Sequence, residues 1–381
     1  MLSKKFFAVC AAGLSLCASN AIAADWNKNQ GGNNANAAVV ASHLEQGGSY
    51  YLVTDAKAAK PQIQFLLKNI IARFPAATSQ KMNKVMNLVD IGLALSGIND
   101  INGIGQSSKI MIPAQGNQPA VYHNRLVITT DPAKKFPLLL QLCNGNAMKL
   151  NDVADMVPDN AKLAFFGSIN PKPIYAAADA MGFIKNDIKA GFAQNVGVSF
   201  DTLIDTITGD FGVILFGATV QNGPEGLVRI TDKNNVIFKL ICKVENKNPE
   251  TEKFIVFQEV DSYVKIVKAK DSLRIYLGKK TEAMIQQKLQ ARQTLKNTAA
   301  FKKMSAKIPA AAQAYDFDCL NFGKTELVGI SATVYNKDNI CAYNNSFYDW
   351  DVLPLAVCIK IADEVMAITG AYAQELPIPE F

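Results

Sequence analysis

Hydrophobic positions along this chain switch between two spacings. Tyr50-Tyr51-Leu52-Val53-Thr54 is a short β-forming run stopped by Asp55, a residue type that caps helices well. Behind it Ile63, Leu66, Leu67, Ile70, Ile71 and Phe74 recur at helical spacing until Pro75. Met82, Val85, Met86, Val89 and Leu93 trace a second amphipathic helix. Gly97-Ile98-Asn99-Asp100 predicts a turn. Strand-like segments follow around Lys109–Ile112 and Val121–Thr130, with Gly116-Asn117-Gln118-Pro119 as the hairpin loop between them.

The same order recurs downstream. Pro158-Asp159-Asn160 leads into an apolar strand at Leu163–Phe166, stopped by Ser168-Ile169-Asn170-Pro171, and helical pattern covers residues 174–194. Gly197-Val198-Ser199-Phe200-Asp201 stands where the Gly97 turn stood. Gly212–Val220 and Val236–Val244 read as antiparallel strands with Gly223-Pro224 between them. Asn248-Pro249 then predicts a helix start, as Asp131-Pro132 does after the first hairpin. A third opening, Pro309-Ala310-Ala311, precedes a strand at Ala314–Asp318, followed by antiparallel strands across Thr325–Tyr335 and Asn339–Ser346.

A helix pair between a strand and an antiparallel hairpin predicts an α+β fold: a tandem repeat of mixed or antiparallel sheets with helices packed on one face. The expected organisation is a signal peptide at 1–23, a flexible leader at 24–48, one repeat unit at 49–157, and a second at 158–308. A partial third unit with a C-terminal helix would occupy 309–381. That helix, around Leu353–Ile368, carries Lys360, Asp363 and Glu364, so it reads as packed against protein and not as a membrane span.

The pattern resembles large exported bacterial proteins grouped under a domain of unknown function. The residues that carry the likeness are Pro158 with Leu163–Phe166, Gly197-Val198-Ser199-Phe200-Asp201 and Gly209-Asp210-Phe211-Gly212-Val213. Asp271-Ser272-Leu273-Arg274-Ile275-Tyr276-Leu277-Gly278 and Ala300-Phe301-Lys302-Lys303 extend it. The likeness covers roughly residues 49–320 as pattern and implies an exported α+β repeat protein, with no activity attached. The chain departs from it after Asp318, where no helix pair follows the strand.

The first residues set the compartment. Lys4 and Lys5 precede an apolar run from Phe6 to Ala18, and Ala21-Ile22-Ala23 offers the small-x-small pattern of a signal peptidase site. Ser19 and Asn20 end the run well short of the ~20 residues a bilayer span needs. Cleavage after Ala23 would remove 23 of 381 residues and leave 358, a periplasmic or extracellular protein with no transmembrane span. The formal net charge of +6 would fall to +4 with the loss of Lys4 and Lys5. Neither that charge nor any Lys/Arg cluster interleaved with aromatics suits nucleic acid, so none is expected as a partner.

Of seven cysteines, Cys10 and Cys17 would leave with the signal. Cys143, Cys242, Cys319, Cys341 and Cys358 sit among apolar neighbours and read as small buried hydrophobes, with no Cys-x-x-Cys spacing for a metal.

Few residues offer chemistry. The chain has two histidines, too few for a three-His metal centre, and no metal or cofactor is expected. His43 borders the leader. His123 would share one strand face with Arg125, opposite Tyr122, Leu126 and Ile128, and reads as solvated. Gly323-Lys324-Thr325 resembles the end of a phosphate loop, but Asp318 stands where its first glycine belongs and a strand follows. Ser262-Tyr263-Val264-Lys265 has Ser-x-x-Lys spacing on a β-forming stretch, where the helical turn that brings lysine to serine is missing. Asp210-Phe211-Gly212 echoes a kinase tripeptide without its companion motifs and reads as a turn into the strand Val213–Phe216.

The constellation with most chemistry is acidic. Asp316 and Asp318 would share one strand face, and Asp349 and Asp351 flank Trp350. Paired carboxylates can bind calcium or divide into acid and base. The expected function is an exported, non-catalytic binding or scaffold protein of the cell envelope or extracellular space, with an envelope or extracellular partner. The alternative is a carboxylate-dependent hydrolase of envelope or extracellular polymer using Asp316 and Asp318.

Overall fold

The computed structural model describes residues 35–55, 101–116, 118–130, 145–180, 184, 186–219, 223–259, 262–321, 324–336 and 339–347. The expectations for the signal at 1–23, the helices at 63–74 and 82–93, and the turn at 97–100 lie outside these residues. So do those for Asp131-Pro132, Cys143, Gly323, Asp349, Asp351, Cys358 and the helix at 353–368.

Fourteen strands are described: β1 Tyr50–Asp55, β2 Ile101–Ile112, β3 Val121–Thr130, β4 Met148–Lys149, β5 Leu163–Ile169, β6 Gly209–Thr219 and β7 Gly223–Thr231. They continue with β8 Phe254–Gln258, β9 Tyr263–Ala269, β10 Ser272–Leu277, β11 Ala311–Ala312, β12 Ala314–Asn321, β13 Lys324–Tyr335 and β14 Asn339–Ser346. The helices are α1 Ala35–Ser42, α2 Leu150–Asp155, α3 Lys172–Ala180, α4 Asn186–Val196, α5 Phe200–Ile207, α6 Val236–Val244, α7 Thr281–Gln290 and α8 Ala299–Met304. Twelve strands make one sheet, antiparallel throughout, in the order β1-β2-β3-β14-β13-β12-β5-β6-β7-β10-β9-β8; β4 and β11 pair separately. The α+β class stands, with strands dominant.

Several elements fall where the hydrophobic pattern put them. β1, β5 and β12 begin at the predicted residues, and the β2–β3 hairpin turns at Gly116, whose φ of +56° is the left-handed conformation glycine adopts without penalty. Gly197 likewise turns the chain at φ +86°. Ser199 then does more than finish the turn: its Oγ accepts the amide of Thr202 at 3.1 Å and starts α5, whose Phe200 ring stacks on Phe192 at 4.2 Å.

Two segments differ. Val236–Val244, expected as a strand, is the helix α6, and the hairpin partner of β6 is β7. Its β-branched residues favour a strand, but Asp232 overrides them. The buried Asp232 carboxylate accepts the amides of Ile237 (2.8 Å) and Phe238 (3.1 Å), after Asn234 and Asn235 turn the chain at φ +57° and +56°. Phe238 and Cys242, four apart, then share the buried face. Asn248-Pro249 begins only a turn, closed by Thr251 and Glu252 amides on the Asn248 carbonyl, before β8 starts at Phe254.

Helices packed on one face were expected; the core instead divides between both. Phe317 pairs with Ile330 and Ala164, and Ala164 with Ile214, so these residues share one face, where they pack with Leu150, Val153, Phe301 and Met304 from α2 and α8. On strand β7, Leu227 belongs to that cluster while Ile230, of opposite parity, belongs to another. There Ile230, Leu273, Ile266 and Ile255 meet Phe238 and Cys242 of α6. The inner face of β3 and β14, through Val127 and Cys341, also receives Val40 and Leu44. Part of the segment read as a flexible leader is therefore ordered: α1 lies at 35–42 with Val40 fully buried.

Candidate functional site

Strand alternation carries polar side chains onto the inner face at two places. The first lies on β3 and β14. His123 and Arg125 have the parity of Val121 and Val127, and the register sets His123 opposite Asn345 and Arg125 opposite Tyr343. His123 is 1% exposed, which overturns the solvated reading. The error came from the opposite face: Tyr122, Leu126 and Ile128 look like the core side, while the α1 segment, whose following Glu45 reaches His123, carries little hydrophobic signal.

The hydrogen bonds fix the tautomer. Asn345 Nδ2 donates to the carbonyls of Met304 (2.6 Å) and Ala306, satisfying acceptors left over at the end of α8. Its Oδ1 is then the acceptor for His123 Nδ1–H at 2.5 Å, and His123 Nε2 accepts from Arg125 Nε at 3.3 Å. Arg125 continues to the His43 carbonyl (3.3 Å) and the Glu45 carboxylate (3.2 Å), with its guanidinium carbon 5.3 Å from the Tyr343 ring centre. Lys307 reaches the same carboxylate at 3.4 Å. Burial holds the imidazole below its ordinary pKa of 6.5; the Asn345 hydrogen bond and Glu45 oppose that shift, and Arg125 and Lys307 add to it. Burial would raise Glu45, but electrostatic interaction with the His123 ring and with the Arg125 and Lys307 cations outweighs it and holds the carboxyl below 4.5. Each hydrogen-bonding atom of the ring is occupied, so the cluster fastens α1 and α8 to the sheet.

The second place lies on β5, β6 and β7, under α2. A pocket of about 330 Å³ is lined by Lys149, Asp152, Met156, Phe166, Asp210 and Arg229, among others. Arg229 has the inward parity of Leu227 and faces Gly212 across the β6–β7 ladder. Gly212 lets the Phe166 ring lie flat on the sheet: a Cβ there would meet the ring at 2.6 Å. The half-buried Arg229 guanidinium donates to Met156 Sδ at 3.7 Å, its sole hydrogen bond among the described residues. No ion pair joins it to Asp152 or Asp210. Sulfur is a weak acceptor, so the guanidinium keeps most of its donors for something else. Sequence reading passed over Arg229; the available signal was a charged residue set between Val228 and Ile230, two positions after Leu227.

The remaining candidates are dispersed. Asp316 and Asp318 do share one face of β12, half-buried, beside Ser331 and Phe165 and beside Gly329 and Leu163 respectively. That is the face opposite the Arg229 pocket, and neither aspartate lines it. Asp210-Phe211-Gly212, expected as a turn, lies inside β6, and Asp210 and Phe211 line the pocket. Tyr263-Val264-Lys265 starts strand β9, and Lys324-Thr325 opens strand β13. Cys242, Cys319 and Cys341 are buried thiols outside any disulfide, as their apolar neighbours predict. Among the described residues no group of three His, Cys, Asp or Glu could hold a metal, and no helix is long and apolar enough to cross a membrane.

No family model matches the chain, and comparison with curated proteins and with solved structures finds no match.

Proposed function

We propose that this is an exported, non-catalytic binding protein of the cell envelope or extracellular space, and that it receives a small anionic ligand at Arg229. The observation that carries the reading is a half-buried guanidinium in a walled pocket with a methionine sulfur as its partner. Arginine presents a planar fork of donors suited to a carboxylate or phosphate, while Phe166 and Met156 offer an apolar wall to the ligand's body. Asp152 and Asp210 on the rim select against ligands with a second negative charge.

The exported location rests on the sequence of residues 1–23. The resemblance to exported proteins of a domain-of-unknown-function family belongs to the same proposal. A duplicated fold is part of it too, supported by strand order. β1-β2-β3 is followed in the sheet by β14-β13-β12, and β5-β6-β7 by β10-β9-β8. Each half is thus a strand, a hairpin and a returning three-strand meander. In this reading the copies are nested, with β12–β14 closing the first copy after the second is complete, and α6 occupying the second copy's link between hairpin and meander.

Thermal unfolding of the purified protein with phosphate, acetate and benzoate tests the binding reading. At least one, with benzoate favoured by the apolar wall, should raise Tm in proportion to occupancy, and Arg229→Gln should abolish the shift. Absence of any shift, or a shift that survives Arg229→Gln, overturns it.

A further inference from the structure

The sheet ends at β8, and the sequence of that strand is complementary to itself. Among the described residues nothing pairs with the outer side of β8. The strand runs Phe254-Ile255-Val256-Phe257-Gln258 between Lys253 and Glu259. Phe254 is 46% and Phe257 37% exposed, an apolar content that edge strands of lone proteins generally avoid.

The ladder to β9 tells which backbone groups remain. Lys268 N donates to Lys253 O, and Glu259 N donates to Ser262 O, both at 2.9 Å, so the odd-numbered residues of β8 turn their polar groups toward β9. Antiparallel ladders alternate, so Phe254, Val256 and Gln258 turn their N–H and C=O groups outward.

We propose that β8 is the homodimer interface of this protein: a second copy adds its own β8 antiparallel, with the twofold axis at Val256. That register sets Val256 opposite Val256 and Phe254 opposite Gln258 of the second copy, and every outward N–H and C=O of the strand finds a partner. It sets Lys253 opposite Glu259 at both ends, in the pair type whose side chains approach most closely. Shifting the register by two residues loses both charge pairs. Phe257 comes alongside Ile255 of the second copy, on the face that already holds the apolar cluster under α6. The low net charge predicted for the mature chain leaves little repulsion between copies. An interface of this kind is isologous, so it closes at two copies and does not propagate.

Sedimentation velocity on the full-length mature protein tests this. The wild type should run as a dimer. Val256→Pro removes an outward N–H and leaves the β8–β9 bonds intact, so it should fold with an unchanged circular dichroism spectrum and sediment as a monomer. Lys253→Glu, on the exposed surface, should loosen the dimer roughly tenfold, and adding Glu259→Lys should restore it. A monomeric wild type overturns the proposal, and so does a Val256→Pro dimer of undiminished affinity. A double variant no tighter than Lys253→Glu overturns the Val256-centred pairing.

Discussion

Arg125 and Arg229 stand on the same face of one sheet, and only one of them is fully engaged. Arg125 is held by a carboxylate, a carbonyl, an imidazole nitrogen and a tyrosine ring. Arg229 meets a thioether beside an open pocket. A guanidinium engaged on each side is part of the architecture, and removing its neighbours leaves buried groups without partners. A guanidinium facing a pocket adds little to folding and is free to do something else. The chemistry of the residue is identical in the two places; what differs is how many of its donors the fold has already used.

The sharpest way to break this contrast is Asn345→Ala. It takes the acceptor from His123 and the donors from the Met304 and Ala306 carbonyls, and should cost about 3 kcal/mol in urea unfolding. Arg229→Gln should change stability by no more than about 0.5 kcal/mol in the same assay. Comparable losses would mean that both sites are structural.

Gly212→Ala comes next. Its methyl would collide with Phe166 at 2.6 Å and push the ring toward the pocket, at a cost of about 1–3 kcal/mol. The thermal shift produced by benzoate should disappear with it, which a purely structural glycine would not require.

Acidification should separate the two sites further. His123 has a folded pKa below 6.5, so between those values the unfolded chain binds more protons and stability falls as pH falls. The contribution is complete above pH 6.5 and is lost as pH drops through the folded pKa. Glu45, depressed below 4.5, then withdraws its own contribution as pH falls through its folded value. Urea midpoints measured from pH 7.5 downward should show the first decline in the wild type, and His123→Gln should flatten it. A wild type equally stable across that range would place the proton elsewhere.

The smallest effect is expected at the rim. Lys307 is half exposed, and Lys307→Ala should lower stability by about 0.5 kcal/mol or less, with a slightly steeper salt dependence in the wild type. A larger loss would mean that Glu45 depends on Lys307 as much as on Arg125.

Much of this fold was legible because β1 and β5 are apolar runs bounded by strong stop residues, and β3 and β12 are β-forming stretches that follow turn residues. What escaped was decided at a distance. The eight residues of α1 contain a single buried side chain, Val40, so the helix left little mark on the pattern, and with it went the segment that brings Glu45 to His123. Val236–Val244 satisfies strand propensity and helical spacing at once, and an aspartate four residues earlier chose between them. The long-range strand order has no local signal at all. The candidate pocket escaped for a related reason: it needs Arg229, Phe166 and Met156, which no short window of sequence contains.

The placement of β12–β14 between β3 and β5 has a consequence for how the chain folds. The centre of the sheet is made by the last strands described, so β3 cannot find its neighbour β14 until residue 346 has been synthesised. Asn345 lies 222 residues from the His123 that it binds. Such separations make contact order high and folding slow, because a long loop must close before its contacts are gained. A chain stopped before residue 314 would hold two half-sheets, each with an open strand at β3 or β5 prone to wrong pairing. On the proposal that the chain is exported unfolded, slow closure is an advantage: the sheet cannot lock before the last of its described strands has been delivered.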